Sequence, residues 1–168
     1  PNLDVNQKYA LAICRIEPEN NIKMILEAFS ASENHLVFIG NWQTTLLGKL
    51  LLREFGCQSH LLLLDPIYDI ETLFFLRSNC SAYIHGHSAG GTNPSLVEMM
   101  HFGKPIIAFD CKYNRCSMSN AGYYFKNAEH LQATFASLRQ DQDKTMHYIA
   151  KERYTWEIVR QRYSTLFN

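Results

Sequence analysis

HGHSAGGTNPSLVEMMHFGKPIIAFD, residues 85–110, runs from the end of one apolar segment, CSAYIHG (80–86), through a loop of small residues to PSLVEMMHFG and then KPIIAFD. The pattern predicts strand, loop, helix, strand, with Pro94 near the first helical turn, where its missing N–H is harmless. Such a unit makes its two strands parallel. The loop is the unusual part: Gly90 and Gly91 permit positive φ and close backbone approach, beside Thr92, Asn93 and Ser95. A connector that only turned the chain would need neither so much backbone freedom nor so many small polar groups.

Outward from this stretch the alternation continues. YALAIC (9–14), HLVFIG (35–40), SHLLLLD (59–65) and AGYYF (121–125) predict further strands; NNIKMILEAFS (20–30), TTLLGKLLLREFG and DIETLFFLRSN predict the helices between them. Asn20 or Asn21 serves as an N-cap, Gly56 closes the second helix, and Asp69 caps the third. Helices follow near 128–139 and 142–153 and in TWEIVRQRYSTLF. Uniformly apolar strands separated by short helices imply a doubly wound, Rossmann-like parallel sheet of six strands, order 3-2-1-4-5-6, with helices on both faces. Phe74, Phe75, Tyr123, Tyr124 and Phe125 read as core.

In such a sheet ligands bind beyond the strand C-termini where the order reverses, between the loops after the first and fourth strands. Those loops, CRIEPENN and HGHSAGGTNPS, carry the most chemistry in the chain. Orphan N–H groups at the start of the helix after Asn93, the Ser95 N–H among them, make an anion seat. Arg15 stands at the end of the first strand, either as a phosphate fork or as a surface arginine paired with Glu17 or Glu19. Glu98 stands among Leu96, Val97, Met99 and Met100, either on an exposed face or as an acceptor for a ribose diol. No G-x-G-x-x-G follows the first strand, which weakens a dehydrogenase reading. His85 and His87 form H-x-H without a third ligand at suitable spacing, so no metal site is expected. His87 is expected to line the crevice and His85 to be a satisfied strand-end histidine. Tyr68 either contacts a planar base or belongs to a plain turn.

Composition narrows the classes. The 168 residues carry 16 Lys+Arg against 16 Asp+Glu, with no basic surplus for nucleic acid. Five cysteines, an odd number without C-x-x-C, read as reduced thiols. No apolar run is long enough to span a bilayer, and the sequence opens on Pro1 rather than Met, which suggests an excised piece of a longer protein.

Three stretches together, AICRIEPENNIKMILEAFS, LVFIG and GGTNPSLVEMMHFGKPIIAFD, resemble the C-terminal, donor-binding half of GT-B fold glycosyltransferases of retaining family four, over roughly residues 9 to 139. RIEPENN and HGHSAGGTNPSLVE are most similar to the rhamnosyltransferase-like branch of surface-polysaccharide assembly. The resemblance implies that residues 1–168 are one domain binding a nucleotide diphosphate-sugar, and that an N-terminal domain bringing a saccharide acceptor is absent from the sequence. It implies transfer of a sugar, rhamnose or another deoxyhexose, with no metal or other cofactor. Arg15 takes the position of the diphosphate-binding arginine, and Glu98 that of the ribose-binding glutamate. The family's assisting lysine falls at Asn20, and its first, sugar-contacting glutamate falls at Gly90. Gly91, Thr92, Asn93 and Ser95 match the loop that faces the diphosphate and sugar; with the first glutamate lost, the sugar is either held by backbone groups and neighbours such as His87, Thr92 and Asn93 or differs from the common hexoses. The implied location is cytoplasmic, with peripheral membrane association only for the full-length enzyme, and the chain alone is expected to be inactive. Two alternatives remain open: a non-catalytic nucleotide-binding or interaction module, in which the losses at Asn20 and Gly90 mark lost chemistry, and a half-domain of a nucleotide-sugar epimerase.

Overall fold

The computed structural model describes residues 8–138 and 144–165. One sheet holds β1 (Tyr9–Ile13), β2 (His35–Ile39), β3 (Leu61–Leu64), β4 (Ala82–His85), β5 (Ile106–Phe109) and β6 (Tyr123–Phe125), all parallel, in the expected order β3-β2-β1-β4-β5-β6. The side-chain period of two divides the core. Ala10 and Ala12 of β1 face a cluster with Leu36, Phe38 and Ile84, while Tyr9 and Leu11 face the opposite cluster with Val37, Ile39 and Tyr83.

The winding reverses between β3 and β4, and right-handed crossovers therefore place the helices on opposite faces. α1 (Ile22–Ser30) and α2 (Leu46–Phe55) cover the first face with α6 (Ala128–Ala136); α3 (Ile70–Asn79), α4 (Pro94–His101) and α7 (Thr145–Arg153) cover the second. α1 is held by Ile22, Ile25, Leu26 and Phe29, all buried, each worth roughly 1.5–3 kcal/mol of apolar burial. That anchoring fixes the turn at 18–21 which leads into it. Thr45, Asp69, Asn93, Asn127 and Thr155 cap their helices through side-chain oxygens.

Four expectations need correction or a limit. Phe74, Phe75 and Tyr123 are exposed rather than core: on α3 only Leu73 and Leu76 fall at the spacing that reaches the sheet, and Tyr123 opens a three-residue edge strand. α5 (Lys112–Ser117) lies where no helix was read. Asn21 sits at the N-cap of α1 with φ 49° but spends its side chain elsewhere. The expected helix ends at 139, 142–143 and 166–167 lie outside the described residues. α8 (Trp156–Ser164) buries none of its residues and leaves Trp156 exposed. Among the described residues no helix is long and apolar enough to cross a membrane.

Candidate functional site

β1 and β4 part company before they end. Their pairing stops at Ala10–Ala82 and Leu11–Tyr83, although β1 continues to Ile13 and β4 to His85. The Tyr83 hydroxyl spans the divergence by donating to the Ile13 carbonyl (3.1 Å). Beyond this point the two chemically loaded loops meet and are laced together. Asn21 Nδ2 donates to the Gly86 carbonyl (2.8 Å), and both the N–H and the hydroxyl of Ser88 donate to the Glu19 carbonyl (2.9 and 2.8 Å). Gly86 is required by this closeness, since a Cβ there would lie 2.0 Å from the Asn20 carbonyl oxygen.

Asn20 is the centre of the lacing. It is 5% exposed, its Nδ2 donates to the Arg15 carbonyl (2.7 Å), and its Oδ1 faces His87 Nδ1 at 2.8 Å. Because the amide oxygen can only accept, His87 must donate from Nδ1, which leaves Nε2 as the lone-pair nitrogen of the neutral ring. That Nε2 stands 3.8 Å from where a Cβ on Gly90 would project, and Gly90 holds φ +82°. The His87 carbonyl is fixed from behind by buried Asn114 of α5 (2.8 Å). Sequence reasoning missed Asn114, whose only signal was an asparagine within a stretch not read as helix.

The remaining site residues divide into those free at the crevice and those already engaged. Arg15 is exposed (78% of its side chain) and lies 3.2 Å from Glu17, so the surface pairing considered from sequence exists. Gly91 has open space around its Cβ position, and Thr92 Oγ1 accepts from Ser117. The N–H groups of Gly90, Gly91 and Thr92 donate to no group among the described residues. The Ser95 N–H, in contrast, is taken by Asn93 Oδ1 (2.9 Å). The unengaged N–H groups of this loop are therefore those of residues 90–92 and not that of Ser95. Glu98 is half exposed and pairs with Arg77 of α3 (2.5 Å), a partner not read from sequence. Tyr68 is 86% exposed in the loop after β3, two strands from β1.

His85 is buried with Nε2 unpartnered, so it is not a satisfied histidine. The hydroxyl of Tyr83, whose ring stacks on His85, is spent on Ile13, and burial pushes the imidazole pKa down to about 3. Burial likewise pushes the thiols of Cys14 and Cys80 up to about 12, and all five cysteines are free. At the end of β5 the Arg115 hydrogen bond holds the Asp110 carboxyl below its ordinary pKa. Among the described residues no three His, Cys, Asp or Glu side chains gather as metal ligands.

Solved structures share this fold at low identity. Anabaena HepE, crystallised in complex with UDP, is 17% identical with TM-score 0.77 over 96% of this chain and 49% of its own. Sucrose-phosphate synthase from Thermosynechococcus elongatus is 17% identical with TM-score 0.79, over 98% of this chain and 46% of its own. The C-terminal domain of a glycosyl transferase group 1 family protein from Francisella tularensis matches over 94% of this chain and 87% of its own, 17% identical with TM-score 0.63. The chain thus spans about half the length of the first two. No curated protein sequence matches it. The family model for glycosyl transferases group 1 matches residues 1–156, and the chain belongs to that family.

Proposed function

We propose that this chain is the donor-binding domain of a glycosyltransferase, which holds a nucleotide diphosphate-sugar in the crevice between the loops after β1 and β4. The observation that carries the reading is the early divergence of β1 and β4, with two loops laced across its mouth and unengaged N–H groups at residues 90–92. Family membership and the presence of UDP in the HepE crystal support a nucleoside diphosphate as the ligand class.

In this reading the Arg15 guanidinium swings from Glu17 onto the diphosphate, and the 90–92 backbone donates to its oxygens. Together they stabilise the charge that builds on the departing diphosphate as the sugar passes to an acceptor hydroxyl, with no metal required. Asn20 does not replace the family's lysine as a cation; it orients Arg15 and His87 by holding the backbone of one and the ring of the other. His87 Nε2 stands beside Gly90 and accepts from a sugar hydroxyl in place of the family's first glutamate. Glu98, steadied by Arg77, accepts from the ribose diol. A single neutral acceptor where the family has a carboxylate suits a sugar with one hydroxyl fewer, and we assign the donor as a deoxyhexose such as rhamnose, transferred with retention into surface polysaccharide. The acceptor is brought by a further domain of the complete enzyme, which acts in the cytoplasm.

A panel of nucleotide-sugars offered to the full-length protein with saccharide acceptors tests this. Transfer from a deoxyhexose donor, lost in His87→Ala, is the expected result. Inversion of the sugar without an acceptor would instead identify an epimerase, and inertness toward every donor would leave an interaction module.

A further inference from the structure

A cavity lies at the opposite end of the sheet from the donor crevice. It encloses about 640 Å³ and is formed where β1, β4 and β5 begin, with the ends of α3 and α4 and the start of α7 around it. Its basic lining comes from separate elements: Lys8 before β1, Lys104 before β5, Lys144 at the start of α7, and His101 and His147. No carboxylate lines it among the described residues, and none of the three lysines forms an ion pair with a described residue. The bland role for these lysines is to offset the C-terminal dipoles of α3 and α4, which end here. Each dipole carries only about half an elementary charge, so two of them answer about one lysine and leave a surplus near +2 among the described residues. The α4 end is moreover already served, because His147 Nδ1 donates to the His101 carbonyl (2.8 Å).

We propose that this cavity binds a phosphate-bearing anion, independently of the donor crevice. The surplus charge matches a phosphomonoester dianion or a diphosphate, and the volume is that of a small-molecule site. Lys104 is partly buried, whereas Lys8 and Lys144 stand exposed at the rim. One cation thus sits deep in the site and two close over the entering ligand. The phosphate can belong to a free metabolite or to a lipid headgroup presented at the rim.

Inorganic pyrophosphate titrated into the 168-residue chain and followed by NMR tests the proposal, with Arg15→Ala as a background that isolates it from the donor crevice. Saturable shifts at His101, Gly103, Lys104 and His147 are expected, unchanged by Arg15→Ala and weakened about tenfold by Lys104→Ala or by Lys144→Ala, the loss of one charge-assisted hydrogen bond. Lys144 is exposed, so its variant remains informative if Lys104→Ala fails to fold. Flotation with phosphatidylcholine vesicles, with and without phosphatidic acid, separates the sources. Lysine-dependent binding to the acidic vesicles alone assigns a headgroup; pyrophosphate binding without vesicle binding assigns a free phosphate. Shifts confined to residues 15 and 90–98, cavity shifts indifferent to both lysine variants, or binding of neither probe would overturn the proposal.

Discussion

Arg15 and His85 stand at two extremes among the candidate residues, one exposed and available, the other buried and held. Among the described residues the Arg15 side chain pairs only with Glu17 at the surface, a contact worth about 0–1 kcal/mol, so its replacement is cheap for the fold. Arg15→Ala in the full-length enzyme should therefore leave the thermal midpoint within a degree or two while lowering turnover by roughly 100-fold or more, the scale of losing one preorganised donor to a leaving group. A drop in midpoint with unchanged turnover would make Arg15 a structural residue. His85 behaves in the opposite way. Its pKa falls from 6.5 to about 3 through burial, with a smaller contribution from His87. Below about pH 6.5 the unfolded chain takes up a proton that the folded chain refuses until about pH 3. Its contribution to stability is thus complete above pH 6.5 and lost as pH falls through that window, by up to about 5 kcal/mol. The urea midpoint of wild type should fall relative to that of His85→Phe between pH 7 and pH 4; parallel curves would mean that the imidazole is not held neutral.

At the scale of elements, the sheet was legible because every strand is an apolar run of strand length, and because Pro94, Gly56 and Asp69 stand where helix ends need them. α5 was not, since KYNRCS has no apolar periodicity and owes its helix to tertiary bonds such as those from Asn114. Phe74 and Phe75 misled because apolar content was weighed without its period. The site was half legible: the two loops could be chosen from topology, but not their lacing. That lacing joins residues 65 to 69 positions apart, through side chains that local pattern assigns to caps. It also separates two glycines that look alike in sequence. Gly86→Ala would drive a Cβ into the Asn20 carbonyl and should destabilise the chain by about 2–3 kcal/mol in urea melts. Gly91→Ala meets nothing within 4 Å and should change stability by less than about 0.5 kcal/mol, while the proposed donor site predicts weaker nucleotide binding. Equal destabilisation by the two would refute the assigned closeness.

For the whole molecule, the doubly wound sheet separates two ends with different chemistry: a crevice with one arginine and free N–H groups beyond β1 and β4, and a lysine-lined cavity where the strands begin. Both follow from parallel strands, which collect every loop of one kind at one end. The fold matches solved structures at 16–17% identity, and the specificity proposed for this chain rests on the residues that depart from the family pattern, Asn20 and Gly90 with His87 beside them. The most direct measurement is an NMR titration of the 168-residue chain with UDP and with GDP. The account predicts saturable shifts at Arg15, His87, Gly90 to Thr92 and Glu98 with one of them, absent in Arg15→Ala. A flat titration into the millimolar range, or shifts that spare the loops after β1 and β4, would contradict it.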